Sequence, residues 1–246
     1  LAMIVLRGEM GYPSALSAPT WGFYDVSFEG KKFEFQRDYG SYVMENILFK
    51  ISFPAEFHAQ TAVEAAVSLH SVVIDRLDEI EKIIITSHES AIRIISKTGP
   101  LNNPADRDHC LQYMTAIGLL KGNLVADDYE DIVASDPRVD YLRELMIVEE
   151  DDRFSREYME PDKRSISNGV QVFFKDGSTT DKLVVEYPIG HRRRRQEGIP
   201  VLEEKFLRNL EVRFPKKRAE KIFELCLDQK KLEALPVNEF MDMLVI

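Results

Sequence analysis

Lys50-Ile51-Ser52-Phe53-Pro54-Ala55-Glu56-Phe57-His58-Ala59-Gln60-Thr61-Ala62-Val63-Glu64 runs from an apolar, strand-like segment through a proline turn into a helix. Thr61 and Glu64 have the spacing of a capping box, in which two side chains satisfy two orphan backbone donors. Val63, Ala66, Val67, Val73, Ile74 and Leu77 then recur close to helical spacing and predict a helix from Thr61 to Leu77. Lys50, Glu56, His58 and Gln60 therefore fall on a turn at a helix N-terminus. Such an end carries partial positive charge and free N–H groups, which suits an anionic ligand.

A second stretch makes the same offer: Gly99-Pro100-Leu101-Asn102-Asn103-Pro104-Ala105-Asp106-Arg107-Asp108-His109-Cys110. Asn103 is a good N-cap, Pro104 fits the first helical position, and Asp106 suits the dipole in the first turn. Cys110, Met114, Ile117 and Leu120 continue the stripe, so one helix is expected from Pro104 to Lys121, stopped by Gly122. Asn102, Asn103 and Arg107 would cluster where its backbone donors point outward.

Working outward, Glu81–Ser87 is a β-branched run that reads as a buried strand. Short helices are expected over Glu89–Ser96, Asp127–Ala134 and Pro137–Leu145, a strand over Met146–Glu149, and polar loop over Asp151–Ser167. Val170–Phe174 and Lys182–Tyr187 flank an Asp176-Gly177 turn and form the clearest hairpin in the chain. From Pro200 onward the pattern is helical. Upstream, Phe23–Phe35 alternates around Glu29-Gly30, which fits a hairpin, with short helices close behind. Tyr39–Phe49 is an apolar approach to Lys50. Leu1–Gly8 reads as the last turns of a helix ending at a glycine, so the expectation is a piece of something longer that opens mid-helix. The coarse order is helical, mixed, helical: an α+β insert whose ends return to a helical body.

With 246 residues and 44% hydrophobic content the chain can bury a sizeable core. A formal net charge of −10 argues against nucleic acid and anionic membrane as partners, since both need a positive footprint. Small anionic substrates need only a local pocket and stay open. The two cysteines, Cys110 and Cys226, lie far apart in helical, apolar surroundings and read as free thiols in a reducing compartment such as the cytoplasm. No metal-ligand spacing is present, and an iron–sulfur cluster needs more thiolates than this chain has. No run reaches transmembrane length.

Among candidate residues, Lys50 reads either as a carboxylate-binding or catalytic lysine or as a solvated residue ending a strand. His58 beside a helix start is disfavoured as imidazolium and suits a neutral base, against a capping or packing role. His70 falls on an apolar stripe, as a core histidine would. His88 follows a strand with no partner in the nearby sequence, and His109 faces either a site or the core. Arg192–Arg195 reads as a solvated face, or else an anion clamp or subunit contact.

Several stretches resemble the MmgE/PrpD family. They are Gly8–Leu16, Trp21–Val26, Gly40–Asn46, Phe49–Ala66, Gly99–Cys110, Val185–His191 and Pro236–Glu239, in the family's order and spanning nearly the whole chain. The resemblance implies a large helical domain with a smaller α+β lid inserted before its last helices. Residues 1–48 would end the helical body, 49–190 form the lid, and 191–246 return to the body, most of which would lie upstream. It also implies a hydro-lyase that removes water from the tricarboxylate 2-methylcitrate in the methylcitrate route of propionate breakdown, with no cofactor and no metal, as a cytoplasmic homodimer. Such chemistry needs a base for the proton beside a carboxylate, an acid for the departing hydroxyl, and cationic or N–H donors for three carboxylates. Lys50 and His58 are the catalytic candidates on this reading. Gln60, Asn102, Asn103, Arg107 and His109 are the substrate-binding candidates, placed by helix-end physics within the matched motifs. The family's key Asp and His on the helical domain would lie outside this chain. A decarboxylase or isomerase of a related tricarboxylate is the alternative within the family, and a non-catalytic lid or assembly module the alternative outside enzymology.

Overall fold

The computed structural model describes residues 1–35 and 50–246. The apolar approach Tyr39–Phe49, with the Gly40–Asn46 motif inside it, lies outside the described residues. The chain divides into two units, one toward the N-terminus and one holding everything from Lys50 onward.

Among the described residues, the first unit holds two short helices, α1 (Ala2–Leu6) and α2 (Phe23–Phe28). Within Phe23–Phe35, where a hairpin is expected, Phe23–Phe28 is helical and no strand follows it through Phe35. Glu29 (φ 53°) and Gly30 (φ 80°) take left-handed backbone that closes the helix, and the Gly30 N–H donates to the Tyr24 carbonyl. Phe33 then folds back onto Phe23 and Phe28, with ring centroids 6.1 and 4.5 Å away.

The second unit is α+β. Its order is α3 (Gln60–Val73), β1 (Ile80–Ser87), α4 (Glu89–Ile95), α5 (Pro104–Asp108), α6 (Leu111–Lys121), α7 (Asp131–Ala134), α8 (Pro137–Glu144), β2 (Met146–Glu150), α9 (Asp152–Met159), β3 (Asn168–Phe174) and β4 (Leu183–Val185). Four tail helices follow: α10 (Arg195–Glu211), α11 (Lys216–Leu227), α12 (Gln229–Ala234) and α13 (Val237–Asp242). The sheet order is β2-β1-β3-β4. β1 runs parallel to β2, with Ile83 opposite Met146, and antiparallel to β3, with Ile83 opposite Val172. The Asp176-Gly177 hairpin forms as the pattern predicts: Gly177 takes φ 85°, and the Asp176 carboxylate accepts from the Ser178 N–H.

α3 is the central helix. It lies against β3 and β4 on one side and α6 on the other. The crossing with α6 is close because Gly118 has no side chain; a Cβ there would sit 2.9 Å from the Ala66 Cβ. The core is built from Ala62, Val63, Ala66 and Val73 of α3, Ile80, Ile83 and Ile85 of β1, and Met114 and Ile117 of α6, all at most 1% exposed.

Several expected boundaries move, each for a tertiary reason. Thr61 and Glu64 form no capping box: the Thr61 hydroxyl donates to the Ile166 carbonyl at 2.5 Å, and Glu64 pairs with Arg194. The start is capped earlier, by Glu56 accepting the His58 N–H ahead of a 3-10 turn at Phe57–Ala59. The far end tightens into a 3-10 stretch, Ile74–Glu79. The helix expected from Pro104 to Lys121 breaks at His109-Cys110, where Cys110 is extended. The expected helix from Asp127 to Ala134 is a 3-10 turn at Ala126–Tyr129 followed by α7. The expected loop from Asp151 contains α9, capped by the Asp151 carboxylate and anchored by the fully buried Phe154.

The tail helices carry a small core of their own around Leu210, Ala219 and Ile222. The arginine run is not simply solvated. Arg194 makes a bidentate pair with Glu64 of α3 (2.8 and 3.0 Å) and also reaches the Tyr187 carbonyl. Arg193 donates to the Asp162 carbonyl and lies over the Tyr187 ring. Among the described residues, no helix is long and apolar enough to cross a membrane.

Candidate functional site

The turn that enters α3 is held from inside. Gln60 is 3% exposed, and its amide donates to the carbonyls of Phe53 (2.9 Å) and Ala55 (2.8 Å), closing the loop around Pro54. That clamp presents Glu56 and His58 side by side. The Glu56 carboxylate accepts the His58 backbone N–H at 2.7 Å and meets His58 Nδ1 at 2.9 and 3.1 Å. A carboxylate only accepts, so Nδ1 carries the proton, and in the neutral imidazole Nε2 offers its lone pair. Facing Nε2 at 3.2 Å is the hydroxyl of Tyr158, on α9.

A second histidine completes the group. His88 follows directly after β1 and caps α4, its Nδ1 accepting the Ala91 N–H at 3.4 Å. Its ring stacks on Tyr158 (centroids 4.5 Å apart, planes 13° apart) and lies 5.3 Å from the His58 ring. His88 has no exposed surface, and its Nε2 has no hydrogen-bond partner among the described residues. The parallel pairing of β1 and β2 explains the meeting: both strands end on the same edge, one leading into His88 and the other into α9. Crevices beyond the carboxyl ends of parallel strands are where α/β sheets commonly place ligands.

Asn168, the first residue of β3, ties the pieces together. Its Oδ1 accepts from the Ser87 hydroxyl at 2.6 Å, and its Nδ2 donates to the His58 carbonyl and to the Thr61 hydroxyl, both at 2.7 Å. One buried amide thus links the end of β1, the start of β3 and the His58 turn.

Electrostatics sharpen the arrangement. Burial alone would raise the Glu56 carboxyl, but hydrogen bonds and charge from His58, with Lys50 adding, hold it below its ordinary value. His88 is pushed down to about 4, by burial first and by the His58 charge second, against an opposing pull from Glu56. His88 is therefore neutral near pH 7. The site is an anionic carboxylate, an oriented imidazole, a phenol and a second, uncharged imidazole.

The other expected residues divide by location. Lys50 is exposed at the mouth of this turn; its carbonyl accepts from Lys205 Nζ at 2.8 Å, and its charge acts on Glu56. Asn102, Asn103, Arg107 and His109 lie at the start and end of α5. Asn103 caps α5 as expected, its Oδ1 accepting the Asp106 N–H at 2.9 Å. Arg107 does not face outward: it is 5% exposed and donates to the Tyr129 carbonyl and the Asp131 carboxylate. His109 is exposed beside Asp108. Among the described residues no hydrogen bond, ion pair or ring contact joins the α5 group to the His58 group. Nor, among them, is any cluster of three or more His, Cys, Asp or Glu placed to hold a metal ion.

Tyr158 and the partnering of His88 escape the sequence reading. The available signal is an Asp151 cap followed by Phe154 and Tyr158 at helical spacing, inside a stretch whose polarity reads as loop.

Comparison with known proteins gives a consistent picture. The sequence model of the MmgE/PrpD C-terminal domain matches residues 53–229. The chain is 58% identical over its whole length to 2-methylcitrate dehydratase of Escherichia coli K12, covering 52% of that protein. It is likewise 57% identical over its whole length to the mitochondrial 2-methylcitrate dehydratase of Yarrowia lipolytica, covering 47%. A 2-methylcitrate dehydratase-like protein of Aspergillus oryzae is 41% identical, with 50% of it covered. The chain thus spans about half the length of the curated relatives it matches.

Proposed function

Because the chain belongs to the MmgE/PrpD family, we propose that it serves the dehydration of 2-methylcitrate to 2-methyl-cis-aconitate, as a hydro-lyase. The observation that carries this reading is the identity of 57 to 58% along the full chain with proteins named for that reaction. The Glu56-His58 pair supports it from the chemical side: an imidazole oriented by a carboxylate is suited to move the proton beside a substrate carboxylate. On this reading Lys50 at the mouth of the turn binds a substrate carboxylate and stabilises the charge that builds on it as the proton leaves. His58 works behind it. Asn102, Asn103 and His109 offer surface donors at the second helix start, while Gln60 and Arg107 hold the two starts in shape from within.

We place residues 49–190 in a lid and residues 1–48 and 191–246 in a helical body, and take the protein to act as a homodimer in the cytoplasm. Light scattering on the full-length protein tests the dimer.

The reaction itself is tested by following the ultraviolet absorbance of the conjugated alkene formed from 2-methylcitrate by the full-length protein. Turnover is expected, and Lys50→Ala is expected to lower kcat/KM by about 100-fold. No alkene from the wild-type protein, or carbon dioxide release from cis-aconitate in its place, overturns the reading.

A further inference from the structure

The Tyr158 hydroxyl lies 3.2 Å from Nε2 of the His58 imidazole. Glu56 takes up the proton on His58 Nδ1 as a hydrogen bond, so toward the neutral imidazole Tyr158 acts as donor at Nε2. His58 itself is only 11% exposed at its side chain, and its accepting nitrogen is already occupied. Tyr158 is half-buried and ends this chain of hydrogen bonds from Glu56 through His58. Its ring is held flat against His88, a buried histidine whose Nε2 has no hydrogen-bond partner among the described residues. The charged and titratable groups around the pair are few: Glu56 on the same turn, Lys50 acting on Glu56, His88 from the end of β1, and Tyr158 from α9.

We propose that Tyr158 is the group that takes the proton from the substrate, with His58 as the store behind it and Glu56 and His88 as positioning residues. This rests on the dehydratase reading and adds an agent to it. The substrate C–H bond breaks and its electron pair becomes the new C=C bond as the C–O bond breaks. The proton passes to the Tyr158 oxygen while the Tyr158 proton passes to His58 Nε2. The resulting imidazolium is neutralised by the Glu56 carboxylate at 2.9 Å. The hydroxide leaves and is protonated by solvent, to which the imidazolium later returns one proton. A neutral His88 suits this scheme, because a second cation beside His58 would resist its protonation.

The test uses the full-length protein with 2-methylcitrate, and nitrogen-15 NMR of the histidines as a readout that needs no turnover. Tyr158→Phe keeps the ring that stacks on His88. It is expected to lower kcat by about 100-fold or more with KM within about threefold. Glu56→Gln is the second variant. It is expected to lower kcat by about 10-fold or more and to move the acidic limb of the kcat profile, a change that a loss of packing alone does not produce. NMR of the wild-type protein is expected to show His58 protonated at Nδ1. A wild-type protein inactive on 2-methylcitrate sinks the dehydratase reading whatever the NMR shows. Turnover in the wild type with kcat unchanged in folded Tyr158→Phe, or a proton on Nε2 of His58, sinks the relay and leaves the dehydratase reading standing. If Tyr158→Phe does not fold, an unmoved pH profile in Glu56→Gln sinks the relay.

Discussion

Asn168 and Gln60 are two buried amides whose N–H donors are turned inward. Asn168 receives one hydroxyl and donates to a carbonyl and a second hydroxyl; Gln60 donates to two carbonyls. Cutting either side chain leaves buried partners without water or replacement, and each such orphan costs about 1 to 3 kcal/mol. Asn168→Ala is expected to lower the unfolding free energy by about 3 kcal/mol in urea titration, with the loss accompanied by a changed His58 environment in NMR, because the His58 carbonyl is one of the orphans. Gln60→Leu keeps the volume and removes both donors, so about 2 to 4 kcal/mol is expected. A loss under about 0.5 kcal/mol in either case would mean the turn relaxes and finds water. These residues show why sequence reading stops where it does. Gln60 and Thr61 look like polar residues at a helix start, free to face a ligand. Their partners are a carbonyl seven residues back and another 105 residues ahead, and no local pattern announces the second.

At the scale of elements, whatever is set by adjacent residues could be read in advance. The Ile83-Ile84-Ile85 strand, the Asp176-Gly177 hairpin, the Asn103-Pro104 helix start and the left-handed stop at Gly122 all follow from local propensity and backbone geometry. What depends on packing could not. α9 is polar along most of its length and is held by one buried ring, Phe154, so its composition reads as loop. At the break Cys110 is extended, and both Cys110 and Leu111 lie in the core, as do the ten residues from Leu111 to Leu120, so α6 is buried on every side. The candidate site divides the same way: Lys50, Glu56 and His58 share one stretch, whereas His88 and Tyr158 arrive through the parallel pairing of β1 and β2. Three substitutions probe two contacts between elements. Gly118→Ala forces α3 and α6 apart against the Ala66 Cβ, and about 1 to 3 kcal/mol of stability should be lost although alanine favours helix. Glu64→Gln and Arg194→Met, alone and combined, measure the pair joining α3 to α10. Each side chain is 20% exposed, and a coupling of about 1 kcal/mol is expected from the double-mutant cycle. A coupling near zero would mean that the Tyr187 carbonyl and Glu197 hold Arg194 without Glu64.

For the molecule as a whole, acid is the informative stress. His88 and His191 are both held down at about 4, against an ordinary 6.5. Burial is the first cause in each; the His58 charge adds at His88, and Arg192, Arg193 and Arg195 add at His191. In the unfolded chain both titrate near the ordinary value. Between pH 6.5 and 4 the unfolded state therefore binds more protons, and stability falls as pH falls, by at most about 1.4 kcal/mol per pH unit for each histidine. Above that window neither contributes a slope. Glu56, held below its ordinary value, loses its contribution only further into acid. Urea midpoints at pH 7, 6 and 5 should be level over the first step only in part and drop clearly over the second; a flat series would show that both histidines protonate without unfolding.

β1 also sets a schedule for synthesis. It is flanked on both sides, yet β2 begins roughly 60 residues after it ends and β3 later still. At about 5 to 20 residues per second, a nascent chain trails an unclaimed Ile83-Ile84-Ile85 strand for several seconds. Such a segment is apolar, β-branched and without proline, the profile of a sticky edge. Slower translation lengthens that window and faster translation shortens it, so the soluble yield of this protein is tied to ribosome speed as much as to its final stability.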